Sequence, residues 1–189
     1  MTEDIKLPNK KYNIIYADPP WKFNSGELFK EYAQVKKFDS IEKHYKTLNK
    51  KELQQLKIKE ITHNDCVLFM WFTDAHFIEA IELCKSWGFE YKTIAFVWEK
   101  RSKHNKLISN LGAWTLKNYE LCLLATKGKM MKYKKINNIK QQVIAERTKH
   151  SRKPDIVRNN IEKLFGDIPR IELFARETAV GWDSWGNEV

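Results

Sequence analysis

Apolar positions along the chain fall into short unbroken runs separated by stretches with helical spacing. The run Asn13-Ile14-Ile15-Tyr16-Ala17 predicts a first strand, followed by a long loop rich in aromatics and lysines. Residues Lys50 to Lys59 predict a short helix with Leu53, Leu56 and Ile61 on one face. Cys66-Val67-Leu68-Phe69-Met70-Trp71-Phe72 has no polar interruption, the pattern of a strand covered on both faces. Asp74 is positioned to cap a helix whose Phe77, Ile81, Cys84 and Trp87 share a face until Gly88 stops it. Tyr91 to Trp98 and Glu120 to Thr126 read as further strands. Pro154 opens a helix carrying Val157, Ile161, Leu164 and Phe165, and Arg170 to Ala175 reads as a strand after it. The alternation predicts an α/β fold with a mainly parallel sheet and helices on both faces. No fixed-period repeat and no Gly/Ser linker divides the chain, so residues 1–189 read as one domain.

Composition adds bounds. With 42% apolar and 13% aromatic residues, a chain of 189 can bury a sizeable core. No apolar run approaches the ~20 residues of a membrane span, and Met-Thr-Glu-Asp-Ile-Lys lacks the apolar core of a secretory signal, so a cytoplasmic protein without membrane contact is expected. Cys66, Cys84 and Cys122 lie inside apolar segments without metal-ligand spacing and are expected to be reduced core thiols. The five histidines are equally scattered, and no metal site is expected.

Charge is unevenly distributed. The chain carries a net +10, and residues 127–153 hold ten Lys or Arg against a single acid, Glu146. Such a stretch, with Met130, Met131 and Tyr133 within it, suits a phosphate backbone with exposed bases; it equally suits a solvated lysine loop. Arg101, Lys103 and Lys106 form a second, weaker basic loop.

The chemistry concentrates where the first strand ends. In Asp18-Pro19-Pro20-Trp21 the prolines supply no N–H and hold φ near −65°, predicting a stiff extended loop with its carbonyls open to donors. Ligands in parallel sheets bind beyond the carboxyl ends of strands. A planar base with an exocyclic amine would offer one hydrogen to Asp18 and the other to the Pro19 carbonyl, with the Trp21 ring against its face. Two acceptors turn the nitrogen lone pair out of conjugation and toward an electrophile. The same tetrapeptide also suits a plain turn, since proline ends strands and tryptophan plugs cores.

Tyr16-Ala17-Asp18-Pro19-Pro20-Trp21 resembles the catalytic motif of the adenine amino-group methyltransferases related to the eukaryotic mRNA adenosine methyltransferase catalytic subunit, a family with bacterial and phage members. His44-Tyr45-Lys46-Thr47-Leu48, Leu68-Phe69-Met70-Trp71, Gly112-Ala113-Trp114 through Glu120-Leu121-Cys122, and His150-Ser151-Arg152-Lys153-Pro154-Asp155 match further segments in order. So do Glu172-Leu173-Phe174-Ala175-Arg176 and Gly186-Asn187-Glu188. The resemblance implies a Rossmann-like S-adenosylmethionine-dependent fold with permuted order, the catalytic loop preceding the cofactor strand. It also implies methyl transfer to the 6-amino group of adenine in nucleic acid, DNA favoured over RNA, by a monomer or homodimer.

On the same resemblance, Asp18, Pro19, Pro20 and Trp21 form the catalytic loop, with Asp18 also contacting the cofactor's ammonium. Lys153 meets its methionine carboxylate. Arg176 and Asn187 take the ribose hydroxyls beside Glu188, and Leu173 and Phe174 border the adenosine, although alternate residues of a buried strand are also ordinary core. Tyr45 and Glu120 border the target base, or stand as a buried aromatic and an ordinary strand acid. Arg101, Lys132, Lys134 and Lys135 are candidates for holding the nucleic-acid strand. Trp182 and Trp185 are expected to pack the C-terminal tail against the body. Thr178 and Ala179 stand where the eukaryotic relatives carry a histidine and an asparagine, which removes those ribose contacts.

Three rivals are a catalytically inactive nucleic-acid-binding partner, a methyltransferase for a small amine or protein, and a structural basic protein. The first should have lost the acid or the aromatic of the motif, and both are present. The second gives no reason for the basic stretch, and the third none for the ordered motifs.

Overall fold

The computed structural model describes residues 6–21, 48–112, 114–148 and 152–189. Its strands are β1 (Tyr12–Ala17), β2 (Thr62–Phe72), β3 (Glu90–Arg101), β4 (Tyr119–Lys127), β5 (Gln142–Glu146), β6 (Arg170–Leu173) and β7 (Asp183–Trp185). Helices α1 (Lys50–Gln55), α2 (Phe77–Ser86) and α3 (Asp155–Phe165) lie between them. The strands form one seven-stranded sheet in the order β5-β3-β4-β2-β1-β6-β7. Only β4 opposes both its neighbours, so the remaining strands point the same way. This is the expected α/β architecture.

Alternation along the central strands divides the core into two layers. Ile15, Ala17, Leu68 and Met70 face α1 and α2 through Leu53, Ala80, Leu83 and Trp87. Ile14, Tyr16, Val67, Phe69 and Trp71 face α3 through Val157, Ile161 and Phe165. β1 lies between β2, reached past α1 on one face, and β6, reached past α3 on the other. The carboxyl end of β1 is therefore the switch point of the sheet, where such folds open a crevice. Asp18 is the next residue.

Helix ends follow local chemistry. Asn49 and Glu52 make a reciprocal capping box at α1, with Asn49 accepting from the Glu52 N–H and Glu52 accepting from the Asn49 N–H. α1 is shorter than expected because Leu56 turns extended, and a 3₁₀ turn over Ile58–Ile61 then buries Ile58 and Ile61. Asp74 does not cap α2. It sits in a 3₁₀ turn with its carboxylate on Lys117, while Phe77 is 39% exposed and the buried stripe is Ala80, Leu83, Cys84 and Trp87. Gly88 ends α2 at φ +85°, with Gly88 N–H bonding the Lys85 carbonyl and Phe89 N–H that of Cys84.

The basic stretch after Lys127 is not a single loop. It contains a 3₁₀ turn over Met130–Tyr133 and the edge strand β5, which pairs parallel to β3. β6 stops at Leu173, earlier than expected, because Phe174 enters the left-handed region at φ 60°. All three cysteines are buried thiols. Among the described residues no helix is long and apolar enough to cross a membrane.

Candidate active site

Period-two alternation carries one face of the sheet past its apolar layer into a charged one. Tyr16 is followed two residues later by Asp18, Trp98 by Lys100, and Cys122 is preceded by Glu120 on the oppositely directed β4. Lys153 enters the same layer from the residues preceding α3. The four side chains form an alternating chain: Lys153 Nζ lies 2.6 Å from Asp18 and 3.3 Å from Glu120, and Lys100 Nζ lies 2.5 Å from Glu120. Lys153 is only 9% exposed, so its charge must be compensated by the protein itself.

Indole faces complete that compensation. Lys153 Nζ stands 5.7 Å from the Trp71 ring centre and Lys100 Nζ 5.4 Å from that of Trp98, and the two indoles meet edge to face. The Trp71 N–H donates to the Tyr16 hydroxyl at 2.6 Å, fixing the ring beneath Lys153. Burial pushes the Asp18 carboxyl up, and Lys153 offsets only part of that rise. Burial opposes the Glu120 charge too, but Lys153 and Lys100 outweigh it and hold Glu120 below the usual carboxylate range. Lys153 is held above the usual lysine range, because Asp18 and Glu120 outweigh the burial that opposes its charge.

The Asp18-Pro19-Pro20-Trp21 loop is rigid, for reasons only partly anticipated. Its carbonyls are not open: Pro19 O accepts the Trp21 N–H at 2.8 Å, and Pro20 O accepts the Leu48 N–H at 3.0 Å. The pyrrolidine rings and these bonds act together. Trp21 is 8% exposed, donates its indole N–H to the Trp71 carbonyl at 3.0 Å and stacks on His76 at 5.4 Å. In this structure the ring's neighbour is a protein side chain, because its apolar surface and its N–H are both satisfied inside.

Beside Asp18 lies the turn after β6. Phe174 pays the strain of a left-handed backbone, about 1–3 kcal/mol, and meets Trp185 edge to face at 5.4 Å. The turn directs Arg176 toward the C-terminal segment, where its Nε is 4.0 Å from Glu188, and Arg176 also lowers the Asp18 proton affinity. Gly186 is required here: a Cβ would collide with the Ala175 carbonyl oxygen. Leu173 is fully buried, and Asn187 is exposed at the same rim. Trp182 packs in the α3 layer and donates to Glu162 at 2.6 Å. A second cluster lies close by, with Arg158 donating to the half-buried Glu172 at 2.6 Å and pairing with Asp155.

Asp18, Glu120 and Lys153 are thus brought together, and Leu173, Phe174, Arg176 and Glu188 gather on one side. Tyr45 lies outside the described residues, as do His44, Lys46, Thr47, Ala113, His150 and Ser151. Arg101 holds Glu99 and the Asn105 carbonyl at the end of β3. Lys132, Lys134 and Lys135 are not part of this constellation. Lys132 pairs with Asp65 near the start of β2, and the Lys135 N–H bonds the Leu164 carbonyl at the far end of α3, both at the opposite end of the sheet. Lys100, Trp71 and Trp98 were missed. Continuing the strand alternation two positions past each buried aromatic would have found Lys100.

A predominantly parallel sheet with its charged site at the switch point, and with the acidic loop ahead of β6, defines a Rossmann-like methyltransferase of permuted order. Residues 12–188 match the MT-A70 family. The chain is 42% identical to the type II methyltransferase M.MunI of a Mycoplasma species, over 97% of this chain and 80% of that protein. It is 27% identical to the human N(6)-adenosine-methyltransferase catalytic subunit METTL3, over 95% of this chain but 28% of that protein. Human N(6)-adenine-specific methyltransferase METTL4 is 28% identical over 95% of this chain and 38% of its own length. The chain belongs to the MT-A70 family of methyltransferases.

Proposed function

We propose that this protein transfers a methyl group from S-adenosylmethionine to the 6-amino group of adenine in DNA, acting in the cytoplasm. One observation carries the reading: a half-buried carboxylate at the switch point, Asp18, held by Lys153 on a rigid loop. The 42% identical relative is a type II methyltransferase, the class that modifies DNA, which favours DNA over RNA.

The residues present suit the cofactor. It has a cationic amino acid end, a carboxylate, two ribose hydroxyls and an adenine; the site offers Asp18 and Glu120, Lys153, the Arg176–Glu188 rim, and the apolar Phe174. When bound, it supplies an electrophilic methyl group. Lys153 would hold its carboxylate, Arg176, Asn187 and Glu188 its ribose, and Phe174 its adenosine, with Leu173 part of the core beneath.

Asp18 accepts an N–H from the target amine and turns the nitrogen lone pair out of the ring's π system. Its raised proton affinity makes it a stronger acceptor than an exposed aspartate. The second lone pair of the Pro19 carbonyl accepts the other amine hydrogen. Glu120 holds Lys153 in place, and Lys100 in turn holds Glu120. An adenine inside a duplex must leave the stack to reach Asp18. The test is incubation with labelled S-adenosylmethionine and matched unmethylated DNA and RNA, digestion to nucleosides and mass identification. Labelled N6-methyldeoxyadenosine is expected. Label only in RNA, or on another base, refutes the reading.

A further inference from the structure

β3 and β4 are neighbours in the sheet, and the chain between them projects as a finger directly above the site. Its base is the Lys100–Glu120 pair, itself joined through Lys153 to Asp18. Ser102 N–H bonds the Lys106 carbonyl and Ile108 N–H the Lys100 carbonyl, folding the chain back on itself. Asn110 and Lys117 then exchange both backbone hydrogen bonds, at 2.7 and 2.8 Å, and bring the two sides of the finger together below its tip residues Leu111, Gly112 and Trp114 to Leu116. Lys117 Nζ grips Asp74 at 2.7 Å and ties the finger to the turn before α2. At the tip Gly112 is indispensable, since a Cβ would stand 2.5 Å from the Thr115 carbonyl oxygen.

This braced tip carries apolar side chains into water. Trp114 is 97% exposed, and Leu111 and Leu116 are 60% and 61% exposed. A firmly held support argues against a merely frayed loop, and apolar surface of this kind calls for a partner. The finger's charge names it. Between Lys100 and Tyr119 stand Arg101, Lys103, Lys106 and Lys117 without an acid, so a second copy would meet like charge while a phosphate backbone would be attracted. Trp114 is at most ~20 Å along the chain from Glu120, close enough to work beside the pocket.

We propose that the finger enters the DNA duplex and that the Trp114 indole fills the gap left in the stack when the target adenine swings out to Asp18. Leu111 and Leu116 flank the indole, and Lys103 and Lys106 hold the phosphates at its shoulders. A flat apolar group on a projecting, cationic element is the form side chains take when they wedge between base steps. The inference rests on adenine in duplex DNA being the acceptor.

Trp114→Ala tests it without touching the core. Methylation of duplex DNA should fall about 10- to 100-fold in kcat/KM, the cost of one lost stacking partner. On the same sequence as a single strand, where no stack has to be opened, the change should stay within about two-fold. 2-Aminopurine at the target position should brighten when wild type binds and stay quenched with Trp114→Ala, and Trp114→Phe should recover most of the signal. An equal loss on both substrates, or no loss on either, overturns the wedge. So does a change from dimer to monomer in sedimentation of Trp114→Ala, which would make the tip a self-association surface. If wild type methylates neither duplex nor single strand, it is the adenine reading itself that fails.

Discussion

Two basic segments lie at opposite ends of the sheet: the finger between β3 and β4, and residues 127–135, the first part of a stretch whose last residue, Lys153, is in the site. Residues 127–135 are denser in lysine, yet β4 runs from Tyr119 at the site to Lys127 at the far end, about 27 Å for nine residues of strand. There the charge is partly spent inside the protein: Lys132 on Asp65, Lys127 on the Thr62 hydroxyl. The finger between β3 and β4 carries fewer cations, but it starts and ends at Lys100 and Glu120 in the site, and among the described residues no acid pairs with Lys103 or Lys106. Strand direction, more than the number of charges, decides which basic segment can meet a substrate.

The largest expected effect isolates the site from both regions. Asp18→Ala should lower methyl transfer by about 1,000-fold or more, while cofactor binding stays measurable by calorimetry. Wild-type transfer by that variant would remove the reason for ranking the two ends at all. Next comes Lys153→Met, expected to cut the neutral-pH rate about 100-fold. The sign of its pH effect follows from Asp18, which must be ionised to accept the amine. Its proton affinity is already raised, so the rate falls with decreasing pH earlier than for an ordinary aspartate. Removing the neighbouring cation leaves burial and Glu120 to raise it further, and the acid limb of the pH–rate profile should move to higher pH; a limb unmoved or moved lower contradicts the coupling.

Charge reversal sharpens the comparison directly. Lys103→Glu with Lys106→Glu should weaken duplex binding at least about 10-fold at low salt and make the log–log salt slope shallower by about two. Lys132→Glu with Lys134→Glu and Lys135→Glu, the positions favoured from sequence as strand contacts, should have the smallest effect, a few-fold at most through long-range attraction. Titration by anisotropy across salt concentrations measures both, and a reversed ranking would place the DNA across the far end.

The sequence carried the central strands well, because strands covered on both faces leave unbroken apolar runs such as Cys66 to Phe72. β5 was hidden for the opposite reason. On the sheet edge only Val143 and Ala145 face inward, so Gln142, Ile144 and Glu146 read as part of a polar stretch. β7 spans only Asp183–Trp185, too short for any period to show. Asp18, Glu120 and Lys153 were legible as a motif, but their mutual ion pairs depend on β4 running against β1 and β2, which residue patterns do not encode. Trp21 illustrates the converse: an aromatic beside a catalytic acid invites a ligand-facing reading, and tertiary packing gave it to His76 and the Trp71 carbonyl.

The single reversed strand has a consequence of its own. Because β3 and β4 run antiparallel side by side, the segment joining them begins and ends on one rim and never has to cross the sheet. A change in the length of such a segment need not shift the register of the strands that carry it. On the proposed role of the finger, target preference would diverge through this one appendage, with the Asp18–Lys153–Glu120 constellation below it unchanged.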